Sequence, residues 1–164
     1  MMKKIGVSII LLLLLFGGYY WGGTYAKKVT EAEKINALVD NWVKQARRKN
    51  ADVPISPKLQ AQNVTLGLVE QCKVHLISGQ SPIVGRDRVR SLLTALYERA
   101  DSVTFYLWHR NLSIDPTDHS AQMQIDMRVK SFFGSKEEIG DGSFELEWIN
   151  ENGEWKILSI SRRY

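Results

Sequence analysis

An α+β fold, in which helices cover one face of a curved antiparallel sheet, is predicted from three features of the sequence. Apolar residues recur at helical spacing as far as Ala100, the period switches to alternation from Ser102 onward, and turn signals separate the alternating runs. Composition agrees with an ordinary globular domain, since 44% of the residues are hydrophobic and 24% charged. Neither disorder nor a repeat architecture fits that balance.

The first element is apolar. Lys3 and Lys4 precede an uncharged run from Ile5 to Phe16, and Gly17, Gly18, Tyr19, Tyr20 and Trp21 follow. As a helix, residues 5–21 reach roughly 25 Å, enough for a hydrocarbon core, with the aromatic trio at the interface. A cleaved signal peptide shares the basic start and the short apolar run, and Thr24-Tyr25-Ala26 loosely resembles a cleavage site. Bulky aromatics around that site favour a retained anchor. Residues 1–28 are therefore expected to be a transmembrane signal-anchor or a signal peptide, and residues 29–164 one folded domain. That domain is expected on the exported side, periplasmic or extracytoplasmic, and secreted if the leader is cut. Lys27 and Lys28 balance Lys3 and Lys4, so orientation is weakly specified.

Thr30-Glu31-Ala32-Glu33 has the form of a capping box and starts the first helix of the domain. Ile35, Leu38, Val39, Trp42, Val43 and Ala46 make its apolar face. Lys44, Arg47, Arg48 and Lys49 gather where the helix dipole favours cations, which predicts a solvated helix end more than a binding patch. Ser56-Pro57 caps a short second helix through Gln62. Val64 to Ser78 holds a strand in its second half and ends in the turn Gly79-Gln80-Ser81-Pro82. A third helix runs from Asp87 to Ala100, with Val89, Leu92, Leu93, Leu96 and Tyr97 on one face.

Val103, Phe105 and Leu107 then alternate with Tyr106 and Trp108 in a strand that continues to Ile114. Ala121, Met123, Ile125, Met127 and Val129 share one face of the next strand, opposite Gln122, Gln124, Asp126, Arg128 and Lys130. Phe144, Leu146 and Trp148 mark another strand, and an Asn152-Gly153 turn leads into the last, through Trp155, Ile157, Leu158 and Ile160. Charges on Asp126, Arg128, Lys130, Glu145 and Glu147 suit a solvated outer face with cross-strand ion pairs.

Charge and chemistry-bearing residues exclude more than they identify. The 22 Lys and Arg are set against 18 Asp and Glu, a net charge of +4, and the arginines of the third helix interleave with core positions. Nucleic acid is not an expected partner. Cys72 is the sole cysteine, so no intramolecular disulfide forms, and a buried thiol is expected. His75, His109 and His119 show no local metal-ligand spacing, and no metal or cofactor is expected. His75 and His109 lie on predicted strands and are weak candidates for a catalytic base; an outward or packed imidazole is the simpler expectation. Asn63-Val64-Thr65 matches a glycosylation sequon, relevant only in a glycosylating secretory pathway.

Val84-Gly85-Arg86-Asp87-Arg88-Val89-Arg90 and Trp148-Ile149-Asn150-Glu151-Asn152-Gly153-Glu154-Trp155-Lys156-Ile157, in this order of helices and strands, resemble the nuclear-transport-factor-2-like superfamily and its SnoaL-like members over Glu31 to Tyr164. The resemblance implies a cystatin-like cone, with a cavity between the helices and the concave sheet. It does not by itself imply an enzyme. Ketosteroid-isomerase-type members carry a base aspartate just before the glycine turn, where Val74-His75-Leu76-Ile77-Ser78-Gly79 places Leu76, and leucine accepts no proton.

The reading that follows is a membrane-tethered noncatalytic module for a protein partner or a small apolar ligand. Its expected cavity residues are Trp42, Leu76, Phe105, Met123, Met127 and Trp148. Tyr106, Trp108, Leu112 and Ile114 are expected to share one exposed face and to form a homodimer or membrane-protein interface, as superfamily sheets often do. Two alternatives stand beside it. One is a SnoaL-like cavity enzyme doing general acid-base chemistry on a small organic substrate, with His75 or His109 as base. The other is a scaffold subunit of a membrane secretion complex, since type IV secretion systems use anchored domains of this superfamily.

Overall fold

The computed structural model describes residues 29–49, 55–115, 117 and 119–164. The expected membrane or signal segment lies outside them, and no helix among the described residues is long and apolar enough to cross a membrane. The elements in chain order are α1 (Glu31–Ala46), β1 (Arg48–Lys49), α2 (Pro57–Thr65), β2 (Leu68–His75), β3 (Ile83–Val84), α3 (Arg86–Arg99), β4 (Ser102–Asp115), β5 (Ser120–Phe133), β6 (Lys136–Glu151) and β7 (Glu154–Arg163). The strands make one curved sheet in the order β1-β4-β5-β6-β7-β2-β3.

The sheet is mixed, which corrects the all-antiparallel expectation. β4 to β7 form an antiparallel meander, but β2 lies parallel to β7, with Leu68 opposite Ile157 and Val74 opposite Ile160. The local pattern of β2 records its burial and not its partner, so pairing across most of the domain leaves no sequence signal.

Local chemistry sets the element ends. Helix α1 begins directly after Thr30. Ser56 caps α2 by accepting a hydrogen bond from the Leu59 amide, and Pro57 occupies the first turn, where its missing amide hydrogen costs nothing. α2 runs to Thr65, past the expected Gln62, because Ala61 and Val64 bury and the Thr65 hydroxyl donates to the Ala61 carbonyl at 2.9 Å. The sequon threonine is thus wholly inside the fold. Arg48 and Lys49 depart from the expected solvated helix end: they pair with Val103 and Ser102 as β1. The Asn152-Gly153 turn has both residues at positive φ, 54° and 89°, as a two-residue hairpin requires.

The core forms where α1 lays Ile35, Val39, Val43 and Ala46 on the inner sheet face. From the sheet come Val103, Phe105, Met123, Ile125, Met127, Leu146, Trp148 and Ile157, with Tyr97 of α3 closing one side. The Tyr97 hydroxyl is buried and donates to the Ala46 carbonyl at 3.0 Å, and burial raises its pKa against a smaller opposing effect of Arg48. Cys72 is buried as expected; burial raises its thiol pKa, partly offset by Arg86. At the far edge, the Tyr164 hydroxyl donates to the Leu76 carbonyl and accepts from the Ser78 amide, at 2.7 and 2.6 Å, strapping the turn after β2 to the end of β7.

Two irregularities within the meander redirect side chains. Between Leu107 and His109 the β4–β5 register slips by one residue. Val103, Phe105 and Leu107 face inward before the slip, and Arg110, Leu112 and Ile114 after it, opposite Ile125, Met123 and Ala121. A second slip, opposite Glu147 and Trp148, pushes Leu158 of β7 out to 41% exposure between buried Ile157 and Ser159. Leu146→Ala, which opens a cavity between Met123 and Ile160, is expected to cost about 2–5 kcal/mol in urea unfolding. Leu158→Ala, at the bulge, is expected to stay within about 0.5 kcal/mol.

Candidate functional site

The long flank of α1 beside its buried face carries Lys34, Ala37, Leu38, Asn41, Trp42 and Gln45, at spacings of three and four. Facing it is the β6–β7 hairpin, with Trp148 before the turn and Trp155 and Ile157 after it. The end of α2 and its exit loop, through Asn63, Val64, Leu66 and Gly67, close the third side. Together they line an open cleft of about 710 Å³. That volume falls within the roughly 300–1,000 Å³ of small-molecule sites.

Hydrogen bonds fix the walls. The Gln60 side-chain amide donates to the carbonyls of Gln45 and Arg47, at 3.2 and 2.7 Å, which ties α2 to the end of α1. The Ile157 amide donates to the Gly67 carbonyl at 2.8 Å, tying β7 to the loop after α2. The Asn150 side chain accepts from the Gly153 amide at 2.9 Å, holding the hairpin tip.

Three indoles, with Leu38, Val64 and Ile157, make the cleft largely apolar, and Lys34, Asn41, Gln45, Asn63, Glu154 and Lys156 supply its polar groups. Lys156 lies 3.5 Å from Glu151 and 3.9 Å from Glu154, so its charge is locally balanced. Trp148 is 3% exposed, and its Nε1–H has no hydrogen-bond partner among the described residues. An enclosed donor left unsatisfied costs about 1–3 kcal/mol.

The residues singled out from sequence fall in different places. Trp42 and Trp148 line the cleft. Phe105, Met123 and Met127 are packed in the core, and Phe105 meets Trp42 with ring centroids 6.2 Å apart. Leu76, expected inside, is 43% exposed just past the end of β2, where the chain leaves the sheet for the turn. His75 is exposed as well, and the His109 side chain is 79% exposed on the outer sheet face. The expected interface set is divided by the β4 bulge. Tyr106 and Trp108 face out, at 46% and 51% exposure, whereas Leu112 and Ile114 turn in and pack against the core.

Leu38, Val64, Trp155 and Ile157 belong to the cleft and were not in the expected cavity set. Trp155 was legible as the second tryptophan of the hairpin that turns at Asn152-Gly153, although its cross-strand neighbour is Asn150 and that of Trp148 is Ile157. The others required knowing that α1 and α2 approach that hairpin.

The outer face carries a separate polar lattice. Asp126 accepts from Ser143 Oγ at 2.6 Å and holds His109 Nδ1 at 2.9 Å; the serine and then the histidine keep its carboxyl below the usual range. Arg128 binds Asp141 through two hydrogen bonds, at 2.7 and 2.9 Å, lowering the Asp141 pKa and raising its own. Arg128 also lies over the Trp108 ring at 5.9 Å, and Lys130 pairs with Glu137. Within the His109–Asp126–Ser143 group both the serine and the imidazole contact the carboxylate, so the serine is not held on the histidine as an activated nucleophile requires. No cluster of three or more metal-ligating side chains occurs among the described residues.

No protein-family profile and no curated protein sequence matches the chain. Solved structures do resemble it. A protein from Novosphingobium aromaticivorans provisionally named a scytalone dehydratase superposes with a TM-score of 0.66 at 12% identity, over 81% of this chain and 83% of the other. Another from the same organism, described as NTF2-like with a cystatin-like fold, gives 0.60 at 12% identity, over 99% and 90%. A protein whose name contains NTF2 gives 0.53 at 15%, over 82% and 100%. The fold is therefore the nuclear-transport-factor-2-like, cystatin-like fold. Identities this low establish fold and nothing about chemistry.

Both lowered carboxyls are acceptors whose stabilising contacts hold above the ordinary carboxylate range and are lost as pH falls through their lowered pKa values, below about pH 4. In a carboxyl NMR titration, Arg128→Gln is expected to move the Asp141 midpoint up toward the ordinary value and leave Asp126 low. Ser143→Ala is expected to do the reverse.

Proposed function

We propose that this chain is a noncatalytic ligand-binding module of nuclear-transport-factor-2-like fold, held at a membrane by residues 5–21 with its folded domain exported. The observation that carries the binding half is the cleft, where three tryptophans with Leu38, Val64, Leu66 and Ile157 surround a cavity of small-molecule size. Binding there draws on burial of ligand apolar surface, at roughly 25 cal/mol per Å². The tethering half draws on the uncharged run from Ile5 to Phe16 and its basic and aromatic flanks.

Catalysis finds less support. The position where a resembling isomerase carries its base holds Leu76, and the two histidines weighed as bases are exposed, away from the cleft lining. Self-association through the outer sheet face also finds less support than the sequence pattern offered. Tyr106 and Trp108 stand there without Leu112 and Ile114, among charges that burial would desolvate.

The test uses the neutral naphthalene dye prodan with the fragment from Lys27 onward. Saturable enhancement of dye emission and quenching of tryptophan emission are expected. Leu38→Arg, on an exposed lip of the cleft, is expected to weaken dye binding at least about tenfold while leaving the far-ultraviolet circular dichroism unchanged. Unsaturable binding, or equal affinity in the variant, overturns the cleft reading. The full chain is expected in the detergent-extractable membrane fraction, and recovery in the salt-washed supernatant overturns the tether.

A further inference from the structure

We propose that the cleft selects a planar aromatic ligand bearing a hydrogen-bond acceptor, with the Trp148 indole N–H as the donor that reads it. This deepens the cleft-binding reading and rests on it. The Trp148 indole N–H is a polar group that the fold leaves unserved. Trp148 lies near the turn end of β6, opposite Ala121 on one side and Ile157 on the other, so its side chain is committed to the inner sheet face by both neighbours. Its bulk is enclosed at 3% exposure, and solvent does not reach its Nε1.

Indole nitrogens enclosed in protein interiors ordinarily find an acceptor, because the N–H is a donor only and has no other way to recover what it loses on leaving water. Two polar groups of the adjoining hairpin and loop are already engaged. The Asn150 side-chain oxygen is taken by the Gly153 amide, and the Gly67 carbonyl by the Ile157 amide. A pure core position would be served as well by phenylalanine, which fills the same face without the orphan donor. Trp148 differs from a core residue in one respect: it is also part of the cleft wall.

The rest of the wall states the shape of the ligand. Trp42 and Trp155 bring two further indoles to the same space, and large flat apolar surfaces of this kind favour a flat aromatic partner over a branched aliphatic one. The Lys156 charge is balanced by Glu151 and Glu154, so a strongly charged ligand gains little there. The ligand class is therefore neutral, planar and aromatic, with a ring nitrogen or carbonyl oxygen near one edge. Nε1 is closed to solvent, so the hydrogen bond requires the cleft wall to open at the indole edge as the ligand enters.

The test compares quinoline with naphthalene, bicycles of nearly the same shape that differ by one acceptor nitrogen, at a pH where quinoline is neutral. With the fragment from Lys27 onward, both are expected to bind saturably. Trp148→Phe is expected to weaken quinoline binding roughly three- to tenfold beyond its effect on naphthalene, the span of one net hydrogen bond. In the unmutated fragment the Trp148 Hε1 resonance is expected to move downfield with quinoline and to shift far less with naphthalene, a readout that survives if the variant fails to fold. Equal Hε1 shifts with the two probes, or equal losses in the variant, overturn the acceptor proposal and leave the cleft reading standing. Absence of saturable binding by either probe overturns both.

Discussion

The inner face of the β4–β7 meander has to be kept dry, and α1 is what keeps it so. Met123 and Leu146 sit at the middle of that face with almost no exposure, beneath Ile35, Val39 and Val43. Once the helix lies there, the remaining positions follow. Gln60 anchors α2 to the helix end, and Tyr97 reaches the Ala46 carbonyl from α3. Arg110, turned inward by the β4 bulge, meets Asp40 of α1 at 2.5 Å. The cleft is the by-product of the same docking. A cylinder laid on a curved sheet covers a stripe, and its flank stands away from the hairpin that rises beyond the stripe.

Alternation in sequence identified β5 because it has one face in the core and one in water, and β4 and β7 were found from their apolar runs between turn signals. The first half of β6 hid from that reading. Lys136 to Gly142 is charged and glycine-rich, has almost no apolar face to alternate, and extends past the covered part of the sheet. A Cβ at Gly142 would lie 2.9 Å from the Phe144 ring, which would have to move aside. The bulge beside Trp108 was equally silent. Counting in twos assigned Tyr106, Trp108, Leu112 and Ile114 to one face, and a single extra residue moved the last two to the other. No residue type there announces the slip, because both faces of β4 carry apolar side chains.

The candidate site was half legible for a related reason. Trp42 and Trp148 stood out as large apolar residues on elements expected to face each other, and they do share the cleft. Phe105, Met123 and Met127 looked the same in sequence but lie where α1 presses directly on the sheet. Whether an inward residue meets a helix or a gap depends on the helix axis, and hydrophobic spacing fixes the face of a helix without fixing its line of approach.

The pairing of β2 with β7 joins Leu68 to Ile157 across α3 and the whole meander. Contacts so distant along the chain carry a high loop-closure cost and slow folding. On a ribosome, β2 emerges long before its main neighbour exists, and holds only the two residues of β3 beside it until β7 is synthesised. The seam between these strands cannot close before β7 is made, and a nascent chain stopped before Glu154 retains an open edge along β2.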